Sequence, residues 1–405
     1  MALVSSLRAL QLRIYEFIDV IFSLIRVFLF RLRTRKSERI VIYDDTFPAL
    51  LSPFRITEIN SYLERFPAAA VYSSRSSFRN DFREYRAWYP QFGGRIFRFN
   101  RRLNFTGKLA YCVFLHNAFV FLPFIEKYQI PFVFELYPGG FFRLNEAESD
   151  KKLKAVMASD CFRKVIVTQT ISRDYLLEKE MCSADKIEFI YGGVLPVDFY
   201  REKMKRKRRY PIDKKSFDVC FVAHKNMPQG QDKGYDIFIQ VAKILSGKYS
   251  NIYFHVVGNF EEKDVDLETI KDVVRFYGTR KTDFFPEFYS SMDIILSPNR
   301  AHTLNGGAFD GFPTGCCVEA AFCGVAVFCT DLLNLNVALR NKAEIVLIPT
   351  DPVEVAAEID GFLNYYERLY ELSEKGQSAF MGVFALEKQM APRLKILDSI
   401  YSAAI

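Results

Sequence analysis

The chain is written in two successive series of short apolar runs, each run followed by a stretch of helical period. "RIVIYDD" (39–45) reads as a first strand, "ITEINSYLERF" as a helix and "AAAVYSS" as the next strand. "AYCVFLHNAF", "PFVFELYPGG" and "KVIVTQT" continue the alternation to about residue 195. A charged stretch with a proline and no apolar face, "YREKMKRKRRYPIDKKS", then reads as a solvated linker, with its basic run a candidate for anionic lipid. The second series runs through "FDVCFVA", "NIYFHVVGN", "VVRFYG", "DIILSP" and "VAVFCTD". Runs with no polar alternation suit strands buried on both faces, so the pattern predicts two parallel, doubly wound α/β domains facing a cleft. The boundaries expected are 39–200 for the first domain, 201–216 for the linker and 217–380 for the second. A last segment, 381–405, is expected to be a helix packing back on the first domain.

Ahead of the first strand, residues 1–38 break the alternation. "LRALQLRIYEFIDVIFSLIRVFLFRLRTRK" is strongly apolar, but Glu16, Asp19 and Arg26 interrupt it short of the ~20 residues a span needs. No small-residue cleavage site follows, which argues against a signal peptide. At ~100° per residue, Arg8, Gln11, Glu16, Asp19, Ser23, Arg26 and Arg33 share one side and Leu, Ile, Val and Phe fill the rest. This is an amphipathic helix with a basic end, suited either to a membrane surface or to packing on protein; the basic cluster favours the membrane.

Composition narrows the classes. A 405-residue chain, half apolar and a quarter charged, is globular and long enough for two cores. A formal charge of +7 is mild and accompanied by no nucleic-acid module, so nucleic acid is not an expected partner. Eight cysteines without CxxC pairs and only four histidines give no zinc constellation; they read as reduced core thiols in a cytoplasmic protein.

The candidate chemistry lies in "FDGFPTGCCVEAAFCGVAVFCTD" (309–331). Glu319 sits inside an apolar run, where an unpartnered carboxylate costs several kcal/mol, so it needs a bound partner. Thr314 can cap a helix starting at Gly315, whose free N–H groups and positive dipole end suit an anion. Lys225 and Lys233, in the loop of "CFVAHKNMPQGQDKGYDIF", could neutralise a diphosphate. "DVD" (264–266) matches an Asp-x-Asp metal motif but lies in a charged surface segment.

Taken in order, these pieces resemble the group 1 (family 4) retaining glycosyltransferases, over roughly residues 39–400 and most closely over 185–332. The matching segments are "KIEFIYGGVLPVDFY", Lys233-Gly234 and "DGFPTGCCVEAAFCGVAVFCTD". The resemblance implies a GT-B fold of two Rossmann-like domains, no metal and no cofactor, with a nucleoside-diphosphate sugar as donor. It implies that Glu319 holds the donor ribose. Asp310 and the loop Gly311, Phe312, Pro313, Thr314 and Gly315 should face the donor sugar, with Lys233 on the leaving diphosphate. Eight residues separate Asp310 from Glu319 where the family has seven. His224 or Lys225 stands where the family has an arginine. Tyr137 occupies the place of the family's acceptor-side histidine, leaving His116 as the remaining candidate base. Glu135, Tyr137, Gly139 and Gly140 form the acceptor-side loop expected to approach a ligand.

The implied reaction is hexose transfer with retention to a glycan or lipid-linked glycan, at the inner face of the cytoplasmic membrane, in surface polysaccharide or lipopolysaccharide synthesis. A looser likeness to surface-polysaccharide rhamnosyltransferases suggests a 6-deoxyhexose. The alternatives are a GT-B sugar-nucleotide epimerase and a non-catalytic protein that binds a sugar nucleotide or a partner enzyme. A nicotinamide oxidoreductase ranks low, because no GxGxxG follows a strand.

Overall fold

A computed structural model describes residue 21 and residues 23–403. The first domain is a seven-stranded parallel sheet: β1 (Ile40–Asp44), β2 (Ala69–Ser73), β3 (Ile96–Arg98), β4 (Leu109–Val113), β5 (Phe132–Leu136), β6 (Phe162–Val167) and β7 (Ile187–Phe189). Its spatial order is β3-β2-β1-β4-β5-β6-β7. The second sheet holds β8 (Phe217–Val222), β9 (Ile252–Val257), β10 (Val274–Gly278), β11 (Ile294–Ser297), β12 (Ala326–Cys329) and β13 (Val346–Leu347). Its order is β10-β9-β8-β11-β12-β13, again all parallel. Both sheets are therefore doubly wound, and each reverses direction beside its first strand. Ligands of such sheets bind outside the carboxyl ends of the strands at that reversal.

β1, β2, β4, β5, β11 and β12 are buried along their whole length, which is why their sequences show no polar alternation. The run "AYCVFLHNAF" divides differently from the expectation. The strand stops at Val113, Phe114 takes a left-handed φ of 73°, and a helix runs from Leu115 to Tyr128. His116 thus opens a helix instead of sitting on a strand.

The basic stretch 201–216 is mostly exposed, but two of its lysines are anchored. The Lys207 ammonium donates to the carbonyls of Tyr289 and Met292, and burial there pulls its pKa down to about 8. Lys214 bridges Asp218 and Asp293, 2.6 Å from each, at the amino ends of β8 and β11. Two cations thus fasten the stretch to the second domain. In "DVD", Asp264 pairs with Lys225 at 2.6 Å and Asp266 with Lys243 at 2.7 Å. No group of side chains among the described residues could hold a metal ion.

The chain returns to the first domain at its end. Helix Tyr366–Val383 packs on the second domain, and helix Leu386–Ala403 crosses back. Met390, Ile396 and Leu397 join the core of β1 and β4, and Arg65 meets Asp398 at 3.0 Å.

Candidate functional site

At the carboxyl end of β11 the chain leaves Ser297 for a loop that returns as helix Gly315–Phe322. Lys233 reaches this loop because Gly234 lies against it. At Gly234 φ is 69°, and a Cβ there would stand 2.0 Å from the Pro298 carbonyl oxygen, so only glycine fits. The Lys233 ammonium then meets both Asp310 oxygens, at 2.8 and 2.7 Å, and Asn299 donates to Asp310 at 2.6 Å. Asp310 stays partly open to solvent, whereas Lys233 is largely covered.

Thr314 stands at the N-cap, but its hydroxyl lies 3.2 and 3.3 Å from the Cys316 and Cys317 sulfurs and caps nothing. The expected cap is absent because the thiols take the hydroxyl instead. The first turn therefore keeps its N–H groups free of any capping side chain.

This helix end opens on a cleft of about 240 Å³ between the domains. Asp310, Gly311, Pro313, Thr314, Gly315 and Val318 line one wall, and Phe54, Phe114, Tyr137, Gln169, Gly193 and Phe384 line the other. Gln169, at the carboxyl end of β6, donates across it to the Phe312 carbonyl at 3.2 Å. A smaller pocket on the other side of Asp310 is lined by Asn299, Arg300, Phe312, Thr330 and Asp331. Gln169, Asn299, Phe54 and Phe114 were not singled out from sequence. For Gln169 a signal existed: with Thr168 it forms the polar pair that follows the apolar run "VIV".

Other expected residues lie elsewhere. Glu135 belongs to β5, not to a loop. It is fully buried and held by Arg393, whose Nε lies 3.1 Å from Glu135 Oε2. The Tyr111 hydroxyl reaches both Glu135 and Glu58, and the Tyr137 hydroxyl donates to Glu58 at 3.0 Å. Burial, with the Glu135 charge beside it, pushes the Glu58 carboxyl well above its ordinary range. Tyr137 thus turns its hydroxyl into the core and gives the cleft its ring. Gly140 approaches the Phe114 ring and not a ligand: a Cβ there would lie 2.4 Å from it. Gly139, at φ 85°, has open space around it. The His116 ring stacks on Phe141 at 4.7 Å and lines neither cavity. Lys225 is engaged by Asp264, and His224 is exposed.

Glu319 lines neither cavity. It is 5% exposed, one carboxyl oxygen has no partner, and the Tyr200 hydroxyl lies beside it. Burial pushes its pKa up to about 8, so the native carboxyl is protonated at neutral pH. An unfolded glutamic acid ionises near pH 4.3. Stability from this group is therefore complete below that value and is lost as pH rises to about 8. The loss is on the order of a few kcal/mol. Glu319→Gln should flatten this part of the pH profile in thermal unfolding and keep the fold; an unchanged profile would place the proton elsewhere.

Residues 217–364 match the family model of the group 1 glycosyl transferases. No curated protein matches the chain. Among solved structures, Anabaena Alr3699/HepE in complex with UDP and glucose aligns with a TM-score of 0.66 at 16% identity, covering 88% of this chain and 99% of that one. Sucrose-phosphate synthase from Thermosynechococcus elongatus gives 0.59 at 14% identity, over 89% and 99% of the two chains. A glycosyltransferase from Rickettsia africae gives 0.58 at 14%, over 89% and 98%. At these identities the likeness is one of fold. The second domain carries the group 1 glycosyl transferase domain, and the chain is a glycosyltransferase of two facing Rossmann-like domains, the GT-B architecture.

Proposed function

We propose that the chain is a retaining, family 4 enzyme that moves a hexose from UDP-hexose to a glycan or lipid-linked glycan. The acceptor lies at the inner face of the cytoplasmic membrane and the product is a surface polysaccharide. The observation that carries this is the uncapped start of helix Gly315–Phe322, which opens on the cleft beside the Lys233–Asp310 pair. A diphosphate set there receives the helix N–H groups and, in exchange for Asp310, the Lys233 ammonium. UDP is the favoured carrier because the HepE structures hold UDP, UDP-glucose, or UDP and glucose.

In the reaction the bond from sugar C1 to the phosphate oxygen breaks. The acceptor oxygen attacks C1 from the face the diphosphate leaves, and its proton passes to a phosphate oxygen. Lys233 and the helix end stabilise the charge that develops on the leaving group. Asp310, once freed, faces the sugar hydroxyls. The rings of Phe54, Phe114 and Tyr137, with centroids 5.3 to 6.0 Å apart, give the acceptor sugar an apolar wall.

The test is thermal unfolding with UDP, dTDP and GDP, followed by UDP release from UDP-glucose with and without an oligosaccharide acceptor. At a hundred times its dissociation constant UDP should add about 2.7 kcal/mol, and release should require acceptor. No shift with any nucleotide would overturn the donor site. Conversion of the donor with no acceptor would favour the epimerase.

A further inference from the structure

Helix 23–33 lies on the first domain with its polar stripe turned inward. Ser23 donates to the Arg98 carbonyl at 3.4 Å, and Arg26 donates to the carbonyls of Gly93 and Ile96. The Arg26 guanidinium stands over the Phe82 ring at 4.8 Å, Val27 is buried, and Phe30 packs on Phe97. Beyond the helix, Arg39 donates to the carbonyls of Arg31 and Thr34, tying its end to the start of β1. The sequence expectation put Ser23 and Arg26 on one side with Arg33; in the structure the first two face protein and Arg33 faces out. Arg8, Gln11, Glu16 and Asp19 lie outside the described residues.

The consequence is an apolar stripe facing away from the body. Ile21, Leu24, Ile25, Phe28, Leu29 and Leu32 are between 39% and 69% exposed, with Phe28 at 61% and Leu32 at 69%. Their spacing is the three-and-four alternation of one helix face. Apolar side chains in such a row are not ordinary surface scatter.

Cations flank the stripe. Arg33, Arg35 and Lys36 follow it, all exposed, against the single carboxylate of Glu38. Alongside lies helix Phe78–Trp88, which supplies Phe82 to Arg26 and carries exposed Arg83 and Arg86. Its own acids are taken, Asp81 by Arg75 and Glu84 by Lys281. A second copy docked on this face would set cations against cations, whereas an anionic bilayer satisfies both the stripe and its rim. Among the described residues no helix is long and apolar enough to cross a membrane.

We infer that this face is where the protein lies on an anionic bilayer, its apolar stripe set in the headgroup–acyl boundary and its cations on the lipid phosphates. Docking through Arg26 fixes the first domain rigidly to that surface, so a lipid-linked acceptor would meet a cleft of set orientation.

The test is sedimentation of the full chain with phosphatidylcholine vesicles, with and without phosphatidylglycerol, in the absence of any sugar nucleotide. It is therefore independent of the glycosyltransferase reading. Wild type should bind the phosphatidylglycerol vesicles far better and release with salt. Phe28→Ser/Leu32→Ser should lower that binding on the order of a hundredfold. Replacing Arg33, Arg35 and Lys36 by Gln should do so by about fivefold per cation. All five side chains are exposed, so thermal unfolding should be unchanged. Equal binding to neutral and anionic vesicles, or none to either, overturns the inference. So does a wild-type dimer that Phe28→Ser/Leu32→Ser dissociates.

Discussion

Lys233→Ala is expected to lower kcat for sugar transfer on the order of 10²- to 10³-fold, the usual effect of removing one positioned donor from a developing anion. The lysine side chain is only 12% exposed, so its charge is less screened than that of a surface lysine. Of the two carboxylates left behind, Asp310 is partly solvated and keeps the Asn299 hydrogen bond, while buried Asp232 keeps only that of Asn226. Thermal unfolding measured alongside separates lost stability from lost catalysis. Steady-state kinetics of UDP release measures the effect. If Lys233 acts on the leaving group, kcat falls and UDP affinity changes less. A loss below tenfold would mean that the helix N-terminus carries the diphosphate without it.

Arg393→Met is expected to cost about 3–5 kcal/mol of stability, because it strands the Glu135 carboxylate in a fully buried site. Glu58→Gln should be close to neutral, since burial and the Glu135 charge favour the protonated carboxyl there and an amide takes its place. Joining Arg393→Met to Glu135→Leu should recover part of the loss, as removal of both leaves no unpaired charge, although the Gln389 and Gly192 oxygens lose their donor. Denaturant midpoints of the three variants and wild type decide the matter. If Glu58→Gln costs as much as Arg393→Met, the proton sits on Glu135 instead.

The inner strands of both sheets were legible because they are covered on both faces, which writes them as unbroken apolar runs; the edge strands β3, β7, β10 and β13 are shorter or partly exposed and carry no such signal. The loop after β11 stood out for a related reason: Asp310 and Glu319 interrupt a segment that otherwise belongs to a core. What failed were pairings over long separations. Glu135 closes an apolar strand, where a carboxylate reads as a ligand group; its counter-ion, Arg393, stands 258 positions away on the last helix. Lys225 read as a free cation until the fold brought Asp264 to it, 39 positions on. Arg26 shows the same limit at a helix: periodicity assigns it to the polar side but cannot tell whether that side meets water or the Gly93 carbonyl.

Proteins made on the ribosome usually complete their amino-terminal domain first. Here the core of the first domain includes helix Leu386–Ala403, which is translated after every strand of both sheets. Until Arg393 has emerged, Glu135 has no counter-charge. The second domain, whose sheet is finished at Leu347, can therefore be complete while the first is still waiting. A chain cut short before helix Leu386–Ala403 should therefore lose the first domain while the second keeps its whole sheet.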